Sequence, residues 1–367
     1  MNSLLDDEAY IKLTIELAKK GESFVSPNPM VGAVIVKNNA IIGVGYHAKF
    51  GENHAEINAF AACKENPEGA TLYVNLEPCS HYGKTPPCVN AIIEKKVKRV
   101  VIGTLDPNPL VAGNGVRLLK EAGIEVKIDV LKKECLELNK IFFKHITSKL
   151  PYIHLKVAQT LDSKIADKYF KSKWITCAES RTYVHELRNI YDAVLIGSNT
   201  VKIDNPELSV RLLEGRNPYR IVINSDCSLS NEYKIFNMKD GKTILVCSEI
   251  YKANFKKLKL FEELGVNVVF AEQNKKGKLK YKSVLQQLYK IGIYSILVEG
   301  GARIFTNFIK KGLFDELDVF ISPKILGNGL APFEDVGVKK LSKAIPLKLN
   351  KVLTLGDDVL LNYLKVK

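Results

Sequence analysis

An α/β protein of two domains is the fold this sequence predicts, and three observations carry that prediction. Apolar runs of strand length alternate with amphipathic stretches of helix length through both halves. With 367 residues the chain is too long for one core of ordinary size. The alternation breaks once, at Lys149-Leu150-Pro151, so residues 1–148 and 149–367 are expected to fold separately.

In the first half, Asp6 and Asp7 cap a helix running to about Lys20, with Gly21 ending it. After the stiff loop Ser26-Pro27-Asn28-Pro29, Val31 to Val36 and Ile41 to Tyr46 form a hairpin around Lys37-Asn38-Asn39-Ala40. A helix after His54 leads to strand Thr71 to Leu76, a helix Pro86 to Lys95 and strand Arg99 to Gly103. Helix Gly115 to Ala122, strand Ile124 to Ile128 and one long helical segment, Lys132 to Ser148, complete a three-layer α/β/α sandwich. Ligands of such sheets sit beyond the strand ends, where His54, Cys79 and Asp106-Pro107-Asn108 fall.

The second half starts with strand Ile153 to Ala158, helix Glu179 to Asn189 and strands Ala193 to Gly197, Arg220 to Asn224 and Thr243 to Cys247. Helix Tyr251 to Leu264, strand Asn267 to Phe270, helix Tyr281 to Ile291 and strand Ser295 to Val298 continue the alternation. Helix Ala302 to Lys311, strand Leu317 to Ile321 and an antiparallel pair within Leu347 to Val366 close it. Gly300-Gly301, between a strand and a helix, could present backbone N–H groups to a phosphate, although a tight turn reads the same way. The polar block Gly197 to Arg211 reads either as a functional loop or as a capped helix and loop.

Composition bounds the function. At 46% hydrophobic and 26% charged, with no extended apolar run, the chain is expected to be soluble and not membrane-bound. Its N-terminus is acidic where a secretory signal is basic, and seven cysteines form no even framework, so a cytoplasmic location is expected. The net charge of +14 fits nucleic acid or phosphorylated small molecules, but the lysines are scattered and a solvated surface explains them equally.

The chemistry concentrates between His54 and Cys88. His54, Cys79 and Cys88 offer one imidazole and two thiols, enough to hold zinc and leave its fourth position open to water, as in catalytic sites. A metal there would make that water nucleophilic near neutral pH. Two thiolates balance the ion's charge, so Glu56 is released from ligation and can move protons. His54-Ala55-Glu56 and Pro78-Cys79 match the signature of zinc-dependent deaminases, with eight residues instead of two between the cysteines. His54 and Glu56 converge on one water only at a helix start, and Pro86-Pro87 places Cys88 in another first turn, where a thiolate is favoured. Cys63, Cys135, Cys177, Cys227 and Cys247 read as small hydrophobes.

Over nearly its whole length the chain resembles the bifunctional deaminase/reductase family of riboflavin biosynthesis. Matching motifs are Asn28-Pro29-Met30-Val31-Gly32, Gly45-Tyr46-His47, His54-Ala55-Glu56, Pro78 to Cys88 and Asp106-Pro107-Asn108. In the second half they are Leu155-Lys156, Leu161-Asp162, Lys173-Trp174-Ile175-Thr176, Gly197 to Arg211 and Val298-Glu299-Gly300-Gly301. The resemblance implies a cytidine-deaminase-like first domain and a second resembling dihydrofolate reductase. The first would remove an amino group from a ribosylaminopyrimidinone 5′-phosphate with Zn2+, and the second would reduce the ribosyl group to ribityl with NADPH.

The same resemblance implies site residues. Asn28, His47, His81, Lys84, Asp106 and Asn108 would bind the deaminase substrate, with Glu56 as the catalytic group. Ala158, Trp174, Thr200, Asp204, Ser225 and the turn Gly301, Ala302, Arg303, Ile304, Phe305, Thr306 and Asn307 would bind the nucleotide. Lys156, Ser172, Arg188, Leu208, Arg211 and Glu299 would bind the reductase substrate, the two arginines as phosphate forks. A homo-oligomer, dimer or tetramer, is expected. Ser163 stands where the family has glycine after Leu161-Asp162, and Gln159-Thr160 replaces smaller residues.

Two other readings stay open on the residues alone. A nucleic-acid base deaminase would need a basic, aromatic groove and gives the second half no purpose. A non-catalytic zinc module would need a fourth ligand, for which His81 is the nearby candidate.

Overall fold

The computed structural model describes residues 6–82, 86–109 and 111–366. The chain divides into two compact units, one ending at Lys149 and the other starting at Leu150.

In the first unit α1 (Asp7–Lys19) precedes the hairpin β1 (Gly32–Lys37) and β2 (Ala40–Tyr46), then α2 (Ala55–Ala61) and β3 (Thr71–Val74). There follow α3 (Cys88–Glu94), β4 (Arg99–Ile102), α4 (Asn114–Glu121), β5 (Glu125–Lys127), α5 (Lys132–Leu138) and α6 (Lys140–Ser148). Asp6 caps α1 by accepting the Ala9 N–H at 2.8 Å. Asn38 and Asn39 have φ of 48° and 63°, the paired left-handed conformation that a two-residue hairpin turn demands. The sheet runs β2-β1-β3-β4-β5, antiparallel across the hairpin and β1/β3, parallel from β3 to β5.

The single helix expected over Lys132 to Ser148 is two helices. At Asn139 ψ is 22°, and its side chain accepts the Met30 N–H at 2.8 Å and donates to the Met30 carbonyl at 2.9 Å. A tertiary contact to the Asn28-Pro29-Met30 loop thus replaces helix continuity, something that local pattern does not encode.

The second unit begins with β6 (Tyr152–Thr160), β7 (Ala166–Asp167), α7 (Ala178–Ile190), β8 (Ala193–Gly197), α8 (Ser198–Asp204) and β9 (Tyr219–Ile223). It continues through β10 (Thr243–Ser248), α9 (Phe255–Glu263), β11 (Asn267–Ala271), α10 (Tyr281–Lys290), β12 (Ser295–Gly300) and α11 (Ala302–Lys310). β13 (Glu316–Ser322), β14 (Gly329–Leu330), β15 (Leu347–Leu355) and β16 (Asp358–Lys365) close it. Nine strands form one sheet, β11-β10-β9-β8-β12-β6-β13-β16-β15, parallel up to β13 and antiparallel at β16 and β15. Its central strands are buried on both faces, as Leu155, Val194, Leu195, Ile221, Leu245, Leu297 and Val298 show, which is why they read as unbroken apolar runs.

The small β7/β14 ribbon was not visible in the sequence, being two residues per strand. The block Gly197 to Arg211 contains α8, followed by irregular chain. Of the five remaining cysteines, Cys135, Cys227 and Cys247 are buried. Cys63 and Cys177 are only half-buried, and Cys177 Sγ donates to the Leu355 carbonyl at 2.9 Å, so these two are not simple core hydrophobes.

Candidate active sites

His54 is the N-cap of α2 and Cys88 the first residue of α3, with Cys79 arriving from the chain beyond β3. His54 Nδ1 lies 3.5 Å from Cys79 Sγ and 3.3 Å from Cys88 Sγ. Tetrahedral zinc with nitrogen at about 2.0 Å and sulfur at about 2.3 Å separates N from S by roughly 3.5 Å, so the donors fit the ion. The Cys79 thiol is held well below its usual range, first by the Cys88 thiol, then by His54 and the Cys88 N–H, which reaches it at 3.3 Å. His81 is half-buried, stands outside the ligand set and has a buried Nδ1 with no hydrogen-bond partner. Among the described residues the donors gathered here are His54, Cys79 and Cys88.

Glu56 occupies the first turn of α2 and is buried, and burial raises its pKa above the ordinary carboxylate value. A carboxyl group so displaced is suited to both taking and giving a proton. Gly43 and Gly45 admit α2 this close to β2: a Cβ on Gly45 would lie 2.3 Å from the Ala59 nitrogen and 2.5 Å from the Ala55 oxygen.

His47 Nδ1 lies 3.0 Å from the Asn53 carbonyl, an acceptor only, so Nδ1 carries the proton and donates. Nε2 then accepts from Asn28 Nδ2 at 3.1 Å, which leaves the Asn28 carbonyl oxygen as the group that the amide offers a ligand. Burial lowers the His47 pKa and keeps the ring neutral. Asn75 holds the same loop by accepting the Gly32 N–H and donating to the Met30 carbonyl.

Asp106 accepts the Asn108 N–H at 2.7 Å, and burial pushes its carboxyl up to about 6. Sequence reasoning missed Glu77. Its carboxylate accepts from the N–H groups of Asp106, Gly113 and Val116 at 3.2, 3.0 and 3.2 Å, tying the strand end that delivers Cys79 to the Asp106-Pro107-Asn108 loop and the N-terminus of α4. Its place directly before Pro78-Cys79 was the available signal. Lys84 lies outside the described residues.

In the second unit a cavity of about 1860 Å³ opens beyond the ends of β6, β8, β9 and β12. Lys156, Ala158, Ser172, Trp174, Arg188, Thr200, Asp204, Arg211, Ser225, Glu299 and residues 301–307 line it. Leu208 is not among the lining residues: it is buried, with φ of 55°. Gly301 caps α11 at φ of 95°, a conformation natural to glycine. At Gly300 a Cβ would meet Thr200 Oγ1 and Ile196 Cγ2 at 3.0 Å, so backbone and α11 N-terminus form a cradle that side chains would fill. Such a terminus, with cavity space for a dinucleotide, fits NADPH phosphates.

Arg188 does not present an open fork. Nε and Nη2 bind Glu299 at 2.6 and 2.8 Å, and Nη1 donates to the Ser209 carbonyl at 3.1 Å. Arg211 is exposed and lines the cavity, and its backbone N–H donates to His185 Nδ1 at 3.1 Å. His185 is pulled down to about 4 by burial and by Arg188 and Arg211.

A hydrolytic deaminase joined to a nicotinamide-dependent reductase is the class these two sites define. Residues 5–104 match the cytidine and deoxycytidylate deaminase zinc-binding region, and residues 151–361 match the RibD C-terminal domain. The riboflavin biosynthesis protein RibD of Aquifex aeolicus is 45% identical over 358 residues, 97% of this chain and 98% of that protein. RibD of Escherichia coli is 38% identical over 98% of this chain and 99% of its own length. The crystal structure of the Thermotoga maritima diaminohydroxyphosphoribosylaminopyrimidine deaminase/5-amino-6-(5-phosphoribosylamino)uracil reductase superposes with a TM-score of 0.87 at 41% identity, covering 98% and 99% of the two chains. The chain belongs to the RibD family of bifunctional riboflavin biosynthesis enzymes, with a zinc-binding deaminase region and an NADPH-using reductase domain. No helix among the described residues is long and apolar enough to cross a membrane.

Proposed function

We propose that residues 1–148 deaminate 2,5-diamino-6-(5-phosphoribosylamino)pyrimidin-4(3H)-one to 5-amino-6-(5-phosphoribosylamino)uracil, and that residues 149–367 reduce that product to 5-amino-6-(5-phosphoribitylamino)uracil. The observation that carries the first half is His54 Nδ1 at 3.5 and 3.3 Å from two cysteine sulfurs, with Glu56 buried two residues further on in the first turn of α2. Membership of the RibD family carries the second.

His54, Cys79 and Cys88 would hold zinc, which when bound would make a water nucleophilic. Glu56 would take a proton from the water that adds to the ring carbon bearing the amino group, and would return it to the nitrogen as the C–N bond breaks and ammonia leaves. Asn28 and His47 form one hydrogen-bonded unit beside the metal ligands, which supports a role in orienting the pyrimidine; Asp106 and Asn108 bound the same site.

Opening a ribosyl ring to a ribityl chain adds a hydride at C1′ and a proton at the ring oxygen as the C1′–O bond breaks. NADPH supplies the hydride when bound. Lys156, Glu299 and Arg188 line the cavity where the sugar would lie, and Lys156 is the group among them able to hold the proton. Arg211 supports phosphate binding. Seven free cysteines suit a reducing compartment, which supports a cytoplasmic location.

Paired substitutions test this reading. Glu56→Gln is expected to abolish ammonia release and leave NADPH oxidation with the deaminated substrate intact; Glu299→Gln is expected to do the reverse. Loss of both activities in either variant would contradict two separate sites.

A further inference from the structure

The chemistry above makes no use of Leu161-Asp162, and the contacts of that pair lead to the cavity wall. Leu161 and Asp162 lie in the turn directly after β6. The Leu161 N–H donates to the Lys324 carbonyl at 2.8 Å, and the Asp162 carboxylate accepts the N–H groups of Leu326 and Gly327 at 3.0 and 2.7 Å. Lys324 itself stands two residues beyond β13, the strand paired with β6. Its backbone is thus fixed both by β13 and by the turn after β6.

The side chain of Lys324 reaches a different segment. Its Nζ donates to the Trp174 carbonyl at 2.9 Å and to the Ile175 carbonyl at 2.7 Å. Arg181, from α7, takes the next carbonyl, that of Thr176, through Nη1 at 2.7 Å, and its guanidinium carbon lies 4.6 Å from the centre of the Trp174 ring. Trp174 and Arg181 line the cavity; Lys324 is not among the lining residues. Three successive carbonyls therefore accept from side-chain cations, in the irregular chain between β7 and α7.

A segment with neither helix nor strand has no ladder to hold it, and its carbonyls would otherwise go to water. Trp174 is 60% exposed, so apolar packing does not fix it either. Hydrogen bonds from a cation are stronger than neutral ones, and a guanidinium over an indole adds an attraction that depends on the tilt of the ring.

We propose that Lys324 is a positioning residue for the nucleotide: with Arg181 it mounts the Trp174 segment before NADPH arrives, so that the indole meets the cofactor without an ordering cost at binding. This rests on the reading that Trp174 binds the nucleotide. Lys324 acts from behind the cavity wall, through the backbone that carries the indole.

The test uses the full, zinc-loaded chain supplied with 5-amino-6-(5-phosphoribosylamino)uracil, and reads initial rates against NADPH concentration together with tryptophan emission. The chain has one tryptophan, so that emission reports Trp174 alone. NADPH is expected to quench it in the unsubstituted chain. Lys324→Met is expected to raise the NADPH KM about tenfold, the scale of a lost hydrogen bond to a charged group, with kcat at saturating NADPH and ammonia release unchanged. Emission anisotropy before NADPH is added is expected to fall, and Lys324→Arg is expected to restore both readings. A Lys324→Met chain with unchanged NADPH KM, whether or not its melting temperature falls, overturns the proposal while quenching in the unsubstituted chain leaves the Trp174 reading standing; a loss confined to kcat overturns it as well. Emission that NADPH does not quench in the unsubstituted chain overturns the Trp174 reading and the proposal together. Should Lys324→Met fail to fold, Arg181→Leu removes the mount from its other side. Its NADPH KM is then expected to rise and its anisotropy to fall, and an unchanged KM overturns the proposal.

Discussion

Arg188 and Glu299 meet through two parallel hydrogen bonds, 2.6 and 2.8 Å long, beside the cavity that both line. Arg188 is 9% exposed, so the pair is desolvated and each charge depends on the other. Removing one partner leaves an uncompensated buried charge. Arg188→Met is expected to destabilise the second unit by about 3–5 kcal/mol, read from denaturant unfolding. The double substitution Arg188→Met/Glu299→Leu is expected to recover part of that loss, since the stranded charge is gone.

Gly45 faces the backbone of α2, where an added Cβ would sit 2.3 Å from the Ala59 nitrogen. Backbone cannot give way as a side chain can. Gly45→Ala is expected to push α2 off β2, carrying His54 and Glu56 with it. The cost is about 1–3 kcal/mol, with zinc content falling along with ammonia release. Metal analysis after dialysis checks this, and full zinc retention would show that the helix had found room.

Asp7 accepts from Arg99 at 2.8 and 3.0 Å, from Lys127 at 2.7 Å and from Tyr73 at 3.1 Å. These partners, Arg99 foremost, hold its carboxyl well below the usual carboxylate range. A depressed folded-state pKa stabilises above the unfolded value of about 4, and that contribution is lost as pH falls below it. Asp7→Asn is expected to cost about 1 kcal/mol at pH 7 after solvent screening and to flatten the acid side of the first unit's stability profile. Unfolding curves between pH 3 and pH 7 measure both.

Ser163 sits at φ of 61°, the left-handed region, in a turn where its N–H donates to the Thr160 carbonyl at 2.9 Å. That is a conformation glycine adopts at lower cost than serine. Ser163→Gly is expected to stabilise by up to about 1 kcal/mol, less the greater freedom glycine gives the unfolded chain. A lowered melting temperature would instead make the weak contact from Gln159 Nε2 to Ser163 Oγ, 3.4 Å, the larger effect.

The cluster of His54, Cys79 and Cys88, with Glu56 beside it, was legible because zinc chemistry requires particular residue types in a fixed order, so these residues need no tertiary knowledge to be suspected together. The alternating elements were legible because burial on one or both faces imposes a period. What escaped is whatever depends on a partner far along the chain. Asn139 interrupts a helix to reach Met30, Arg188 closes its fork on Glu299, and Glu77 gathers N–H groups from three later residues. Leu208 was expected at the substrate and is buried away from the cavity lining. None of these leaves a local periodicity.

The most direct test supplies the diaminopyrimidinone phosphate to the zinc-loaded chain with and without NADPH, following ammonia and nicotinamide absorbance together. Ammonia is expected in both arms, and absorbance is expected to fall only after ammonia appears, approaching one NADPH oxidised per ammonia released. NADPH oxidation with no ammonia, or ammonia release that depends on NADPH, would contradict deamination at the His54, Cys79 and Cys88 centre as the step that feeds the reduction.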